Sequence, residues 1–223
     1  MPAMQKTLKN GLFAVILTLS FTANSQAKIQ APDELLKDAT HTMLRSINEN
    51  REEIRNSPDK LKSLVEKIIL PHLDFISASK MVMGKYWRRA DKSQKINFIR
   101  QFRLLLLRFY SSALSEYLDG RDKALAEDLI HYFPVKLKAD QTSLTVRAEV
   151  KVENGQPIPL HYRVHLTKKG WKVYDVSVEG ISMITTYKNN FATELKAKGI
   201  DALIASLETK NKELLANNAK KTN

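Results

Sequence analysis

The chain has 223 residues, 36 lysines and arginines against 24 aspartates and glutamates, a net charge of +12, and no cysteine. The missing cysteines exclude thiolate catalysis, cysteine-bound metal and a disulfide scaffold. For an exported chain the positive excess points to anionic lipid surfaces or acidic proteins rather than nucleic acid.

Residues 1–27 read as a cleavable secretory signal. Lys6 and Lys9 precede an uncharged run, GLFAVILTLSF from Gly11 to Phe21, and Ser25-Gln26-Ala27 places small residues at the exit. The run is too short to span ~30 Å of hydrocarbon, which takes about 20 residues. Removing it leaves 196 residues with 34 basic and 24 acidic side chains, a charge of +10. That length fits one domain (28–208), burying about 70% of its unfolded surface, with a polar C-terminal tail over 209–223. No later stretch has the ~18 uncharged apolar residues of a membrane span, so the exported, mature protein is expected to be soluble; a monomer is the expected state.

Pro32-Asp33-Glu34 opens a first helix with proline and acids at its positive end. Leu35, Leu36, Ala39, Met43, Leu44 and Ile47 form its apolar stripe. Ser57-Pro58 starts a second helix that stops at Pro71, and a short third one covers Phe75 to Met83 and ends at Gly84. Asp91 and Gln94 have capping-box spacing for a helix reaching Leu118, roughly 40 Å long, with Gly120 placed to end it. On that helix Phe98, Phe102, Leu105, Phe109, Ala113 and Tyr117 make one stripe. Ile99, Leu104, Leu106, Leu107, Tyr110 and Leu114 widen it beyond the ~100° that packing on one surface requires. Such a helix either sits inside a core or walls a cavity.

The middle of the chain alternates with period two. Leu144, Val146, Ala148, Val150 and Val152 oppose Arg147, Glu149 and Lys151, and Leu160, Tyr162, Val164 and Leu166 repeat the pattern. Trp171 to Val178 adds a strand, His131 to Leu137 a weaker one, and Asn154-Gly155 and Lys169-Gly170 mark turns. Two helices follow Gly180, divided near Gly199. The predicted fold is α+β: a four-stranded antiparallel sheet with helices on one face.

Catalytic motifs are absent. The sequence holds neither a phosphate-binding G-x-x-x-x-G-K-[ST] loop nor a G-x-S-x-G elbow. His161 and His165 share a strand face but stand ~13 Å apart, too far for one metal. Asp175 is placed to pair with an arginine such as Arg163, a structural role. No catalytic residue, metal or cofactor is therefore assigned. Gly84-Lys85-Tyr86-Trp87-Arg88-Arg89 mixes aromatics with cations, as at a pocket mouth beside lipid phosphate or as a tryptophan-anchored turn.

Four stretches carry a resemblance: MGKYWRRAD (Met83 to Asp91), QFRLLLLRFYSSAL (Gln101 to Leu114), GWKVYDVSVEGISMITTYKNNF (Gly170 to Phe191) and KGIDALIASL (Lys198 to Leu207). With the strand Ile158 to Arg163 they make the chain similar to the MlaC, or toluene-tolerance, family of periplasmic phospholipid-binding proteins. The chain departs at Lys188, where many relatives carry arginine, which weakens any bidentate phosphate contact there. The resemblance implies an NTF2-like fold with a lipid cavity between sheet and helices. It also implies transport of phospholipid between the outer and inner membranes, to keep outer-membrane lipid asymmetry. Two docking partners are implied: an outer-membrane lipoprotein–porin complex and an inner-membrane ABC transporter with an MCE-domain ring. Ile76, Met81, Val82, Phe98, Phe102, Leu105, Phe109, Val146, Val164, Val176, Ile181 and Met183 are the expected lining, with Lys85, Arg88 and Lys188 at the head group. A carrier of fatty acid or hydrocarbon, an NTF2-like enzyme and an adaptor with a filled core are the alternatives.

Overall fold

A computed structural model describes residues 29–119, 123–153 and 155–221. The expected signal segment, Gly120 and Asn154 lie outside them.

Helix α1 spans Pro32–Glu49 and turns at Asn50, whose side-chain amide donates to the Ser46 carbonyl. A short α2, Arg51–Asn56, carries the apolar stripe on from Ile47 to Ile54 before α3, Pro58–Ile68. A 3-10 turn over Leu70–His72 leads to α4, Phe75–Met83, and α5, Lys85–Arg89. The long α6 runs from Lys92 to Asp119. Its capping box forms as expected: the Gln94 N–H donates to Asp91 Oδ1 at 2.8 Å and the Asp91 N–H to Gln94 Oε1 at 3.1 Å.

Among the described residues five strands follow: β1 Ile130–Tyr132, β2 Ser143–Val150, β3 Ile158–Thr167, β4 Gly170–Val178 and β5 Ile181–Ser182. They form one antiparallel meander in the order β1-β2-β3-β4-β5, one strand more than the sequence pattern indicates. The extra edge strand is only two residues long, below what alternation can reveal. Strand β1 is shorter than expected because Pro134 has no N–H: pairing continues to Phe133, which donates to the Arg147 carbonyl, and stops. The β3–β4 loop is Lys168-Lys169, and Gly170 (φ 88°) opens β4. One extra residue, Tyr174, interrupts the β3–β4 register. Val173 and Val176 therefore both reach the helix-covered face, opposite Val164 and Tyr162.

Helices α7, Met183–Ala197, and α8, Gly199–Lys221, complete the chain. The polar residues from Thr209 continue α8. Asn211 is buried and donates to Gln101 Oε1 and the Gln101 carbonyl on α6, both at 2.9 Å.

Three apolar clusters result. One joins α4 through α8 around Phe98, Phe102 and Phe191. A second joins α1, α2, α3 and the end of α6 around Ile47, Ile54 and Leu61. The third lies on the sheet, with Val146, Val164, Trp171 and Val173 against Leu36.

Candidate functional site

Between the second and third clusters the side chains do not close, leaving a chamber of about 460 Å³. Its walls come from α1 (Leu36, Ala39, Thr40, Met43, Leu44, Ile47), α3 and the turn after it (Val65, Ile69, Leu70, His72, Leu73), and α4 (Phe75). The second half of α6 supplies Leu106, Leu107, Tyr110, Ser111, Leu114 and Tyr117. Leu125, Leu129, Ile130, Tyr132, Tyr162, Val173, Val176 and Met183 close it from the sheet side. Among the described residues, no Asp, Glu, Lys or Arg lines it. A smaller cavity of about 90 Å³ adjoins it behind Phe102 and shares Leu73, Phe75, Leu106, Val173, Val176 and Met183.

Polar pins hold these walls apart. Asn48 and Leu125 exchange two hydrogen bonds, at 2.8 and 2.9 Å, and the Val135 N–H donates to Asp33 Oδ2 at 2.9 Å. Thr40 and Tyr132 share a 2.7 Å hydroxyl contact, and Tyr132 stacks on Tyr162 with ring centroids 5.9 Å apart. Burial raises both phenols above their usual pKa, so they stay neutral. Burial, followed by the charge of Lys172, lowers His72 and favours its neutral ring. The chamber thus offers hydroxyls and one imidazole but no fixed charge, which suits hydrocarbon and penalises an ion.

The volume sets what fits. A dry cavity of about 150 Å³ takes one benzene. On that scale the chamber's roughly threefold larger space takes about eighteen carbon atoms, or one acyl chain.

The segment Ile69–Asp74 acts as a strap across the edge of the chamber. Leu73 pairs with Val173 in a parallel bridge, the Asp74 N–H donates to the Val173 carbonyl at 2.7 Å, and Lys172 Nζ donates to the Pro71 carbonyl. Asp74 also caps α4, accepting from the Ser77 N–H and Oγ–H, and meets His165 Nε2 at 2.8 Å. Partial burial pushes the Asp74 carboxyl upward, but the Ser77 and His165 hydrogen bonds and the His165 charge outweigh it and hold the group below its ordinary 3.8. A depressed carboxylate contributes stability that is present above 3.8 and is lost as pH falls through the folded-state value. Asp74→Asn, which can still cap α4, should flatten the stability curve at and below about pH 4, read by acid unfolding followed by circular dichroism.

Asp175 pairs with Arg163 as the sequence suggests, at 3.5 Å. Its larger task is to hold α7. The buried carboxylate accepts from the Ser182 hydroxyl at 2.7 Å and from the Ile184 N–H at 3.1 Å. Asp175→Ala leaves that N–H without its acceptor and should cost about 2–3 kcal/mol, seen as a melting temperature lowered by roughly 5–10 °C.

The structure distributes the residues expected to line a cavity among three places. Val176 and Met183 line the chamber, and Phe102 the adjoining one. Val82, Phe98 and Leu105 are packed in the helical core, and Val146 and Val164 in the sheet cluster. Ile76, Met81, Phe109 and Ile181 are exposed, Ile76 and Ile181 by 61% and 67%. The cause is α8, which packs along the first half of α6 and turns the Phe98–Phe102–Leu105 stripe into core, so the chamber is walled by the second half instead. Lys85, Arg88 and Lys188 are likewise not on the chamber wall: Lys85 and Arg88 line an outer groove at the α4–α5 corner, and the Lys188 side chain lies against Gly84 there. The α1 stripe, visible in the sequence as a helix face, supplies the wall that pattern alone did not assign.

A family model described as "MlaC protein" matches residues 37–209. The chain is 25% identical over 200 residues to the intermembrane phospholipid transport system binding protein MlaC of Haemophilus influenzae, covering 88% of this chain and 90% of that protein. It is 28% identical over 199 residues to the toluene tolerance protein ttg2D of Pseudomonas putida, covering 89% and 87%. Among solved structures, a phospholipid-binding protein from Ralstonia solanacearum in complex with a phospholipid is similar, with a TM-score of 0.71 and 30% identity over 83% of this chain and 99% of that one. A helix-walled chamber over an antiparallel meander, matched along most of its length, places this protein by descent: the chain belongs to the MlaC family.

Proposed function

We propose that this protein is a periplasmic phospholipid carrier, exported by a signal over residues 1–27, which holds acyl chain in the chamber and moves lipid between membranes. The observation that carries this is the chamber itself: about 460 Å³ with no Asp, Glu, Lys or Arg among the described residues of its wall. The phospholipid held by the Ralstonia relative supports the same class of ligand.

The energetics require a carrier. Exposing about 32 tail carbons to water costs roughly 25 kcal/mol at ~0.8 kcal/mol per methylene, so free lipid does not cross an aqueous gap. A chamber that matches the apolar environment of the bilayer makes transfer nearly neutral, and tighter binding would block release. No nucleotide motif is present in the sequence, so direction comes from partners. By family those are an outer-membrane lipoprotein–porin complex and an inner-membrane ABC transporter with an MCE-domain ring, and the exchange keeps the outer membrane asymmetric. No catalytic step is involved.

Space for about one chain favours two routes to a diacyl lipid: the walls spread, or one tail enters and the other lies along the mouth near exposed Tyr110 and Tyr117. It also suits a single-chain amphiphile. Native mass spectrometry of the purified protein decides. A mass increment matching a diacyl phospholipid is expected; a fatty-acid increment would support the single-chain carrier, and no increment from protein prepared without detergent would reject both.

A further inference from the structure

The three cations displaced from the chamber stand together on a second surface. The groove at the α4–α5 corner is lined by Ser77, Lys80, Met81, Gly84, Lys85, Trp87 and Arg88, none of which lines the chamber. Gly84 (φ 53°) makes the sharp corner that opens it. Helix α7 packs alongside α4: Phe75 and Ala78 line the small cavity together with Met183 and Ile184 at one end, and Gly84 meets Lys188 at the other. Lys95 adds its ammonium over the Trp87 ring at 5.7 Å.

Positive charge dominates this face: of the acids at its ends, Asp74 is engaged by Ser77 and His165 and Asp91 caps α6, which leaves Glu179 and Glu194. Residues 75–90 and 180–193 contain no Asp or Glu. Among the described residues, Lys80, Lys85, Arg88 and Lys188 enter no ion pair. Exposed hydrocarbon lies on the same elements: Met81 in the groove beside the cations, Ile76 one turn before Lys80 on α4, and Ile181 just before α7. Tyr86 and Trp87 are half-buried beside them. Unpaired cations alongside single exposed aliphatic side chains and an amphipathic ring match an interfacial region, in which ammonium groups meet phosphates and short apolar groups enter the head-group layer. Aliphatic side chains that stand singly rather than gathered in one patch suit a fluid head-group layer better than the contiguous apolar core of a protein interface.

We propose that the outer face of α4, α5 and the start of α7 docks this protein directly on an anionic bilayer surface. Binding there is electrostatic, weakens with salt, and is separate from occupancy of the chamber.

The test is sedimentation of the purified protein with vesicles of phosphatidylglycerol mixed into phosphatidylcholine, against phosphatidylcholine alone, while tryptophan emission is recorded. Trp171 is buried in the sheet, so an emission shift on docking reports Trp87. The wild type should bind only the mixed vesicles, with a blue shift. K80E/K85E/R88E should weaken binding roughly a hundredfold, and I76S/M81S should remove the blue shift. K138E/K168E/K169E, the same charge change on exposed loops, should leave binding within about twofold. Failure of the wild type to bind mixed vesicles, equal binding to neutral ones, or an equal loss in the loop variant would each overturn the proposal. If K80E/K85E/R88E instead abolished transfer between purified partner proteins while vesicle binding persisted, the face would belong to an acidic protein and the proposal would fall. Lipid content is measured on the same samples. Empty protein that still docks would count against the carrier function alone, and loaded protein indifferent to vesicles against the docking face alone.

Discussion

Ala39→Trp should empty the chamber while leaving the fold in place. Ala39 sits on the α1 wall one turn from Leu36 and from Met43, and the α6 wall of the same chamber carries Leu106, Leu107 and Leu114. An indole directed inward takes about as much room as the benzene that fills a ~150 Å³ cavity, or roughly a third of the space. At least six tail carbons are then shut out, at ~0.8 kcal/mol each, for a loss of about 5 kcal/mol or more than a thousandfold in retention. Because the indole enters space that side chains leave open, the strain that overpacking brings should stay near 1 kcal/mol. The measurement is the molar ratio of extractable lipid to protein, with thermal melting beside it. Undiminished lipid in a folded variant would place the ligand somewhere other than this chamber.

Some of this architecture is displayed in the sequence and some is concealed. The Asp91–Gln94 box, the end of α4 at Gly84, the break at Gly199 and the three long strands all follow from contacts within a few residues. Local chemistry decides them, so local pattern reveals them. The chamber is different. On α6 the apolar stripe is wide because the helix serves two surfaces, and nothing in Phe98, Phe102 and Leu105 distinguishes core from cavity wall until α8 is laid against them. What fixes that packing includes Asn211, a single polar residue in a stretch that otherwise reads as a solvated tail, bonded to Gln101 over 110 positions of sequence. On β4, strict alternation separates Val173 from Val176; the Tyr174 bulge reunites them on one face. Isolated aliphatics such as Ile76 and Ile181 read as lining because hydrophobicity alone does not say which way a short helix or an edge strand faces.

Cross-linking the strap should stop transfer without displacing lipid already held. A diacyl lipid needs more room than the chamber provides, and the route in which the walls spread to admit both tails requires one wall to part during exchange. The strap between α3 and α4 is a short segment tied to the sheet by few links: the Leu73–Val173 bridge with its Asp74 N–H bond, the Lys172 ammonium and the His165–Asp74 pair. With each hydrogen bond worth about 1 kcal/mol net, parting it costs a few kcal/mol, which leaves an open form at roughly 0.1–10%. Leu73→Cys with Val173→Cys joins the two bridge partners. Neighbouring strands lie about 4.8 Å apart, inside the 4.4–6.8 Å range a disulfide spans between Cα atoms. The chain has no other cysteine to interfere. Closing a loop of about 100 residues should also raise stability by up to about 4–5 kcal/mol, a check that the bond has formed without distorting the fold. In the oxidised form lipid exchange between donor and acceptor membranes should fall at least about tenfold, as expected when the open population is suppressed. Reductant should restore it within the same sample. Exchange at the full rate with the bond intact would show that lipid enters by another wall, and the α1 side, pinned by Asn48 and Thr40, would be the next to lock.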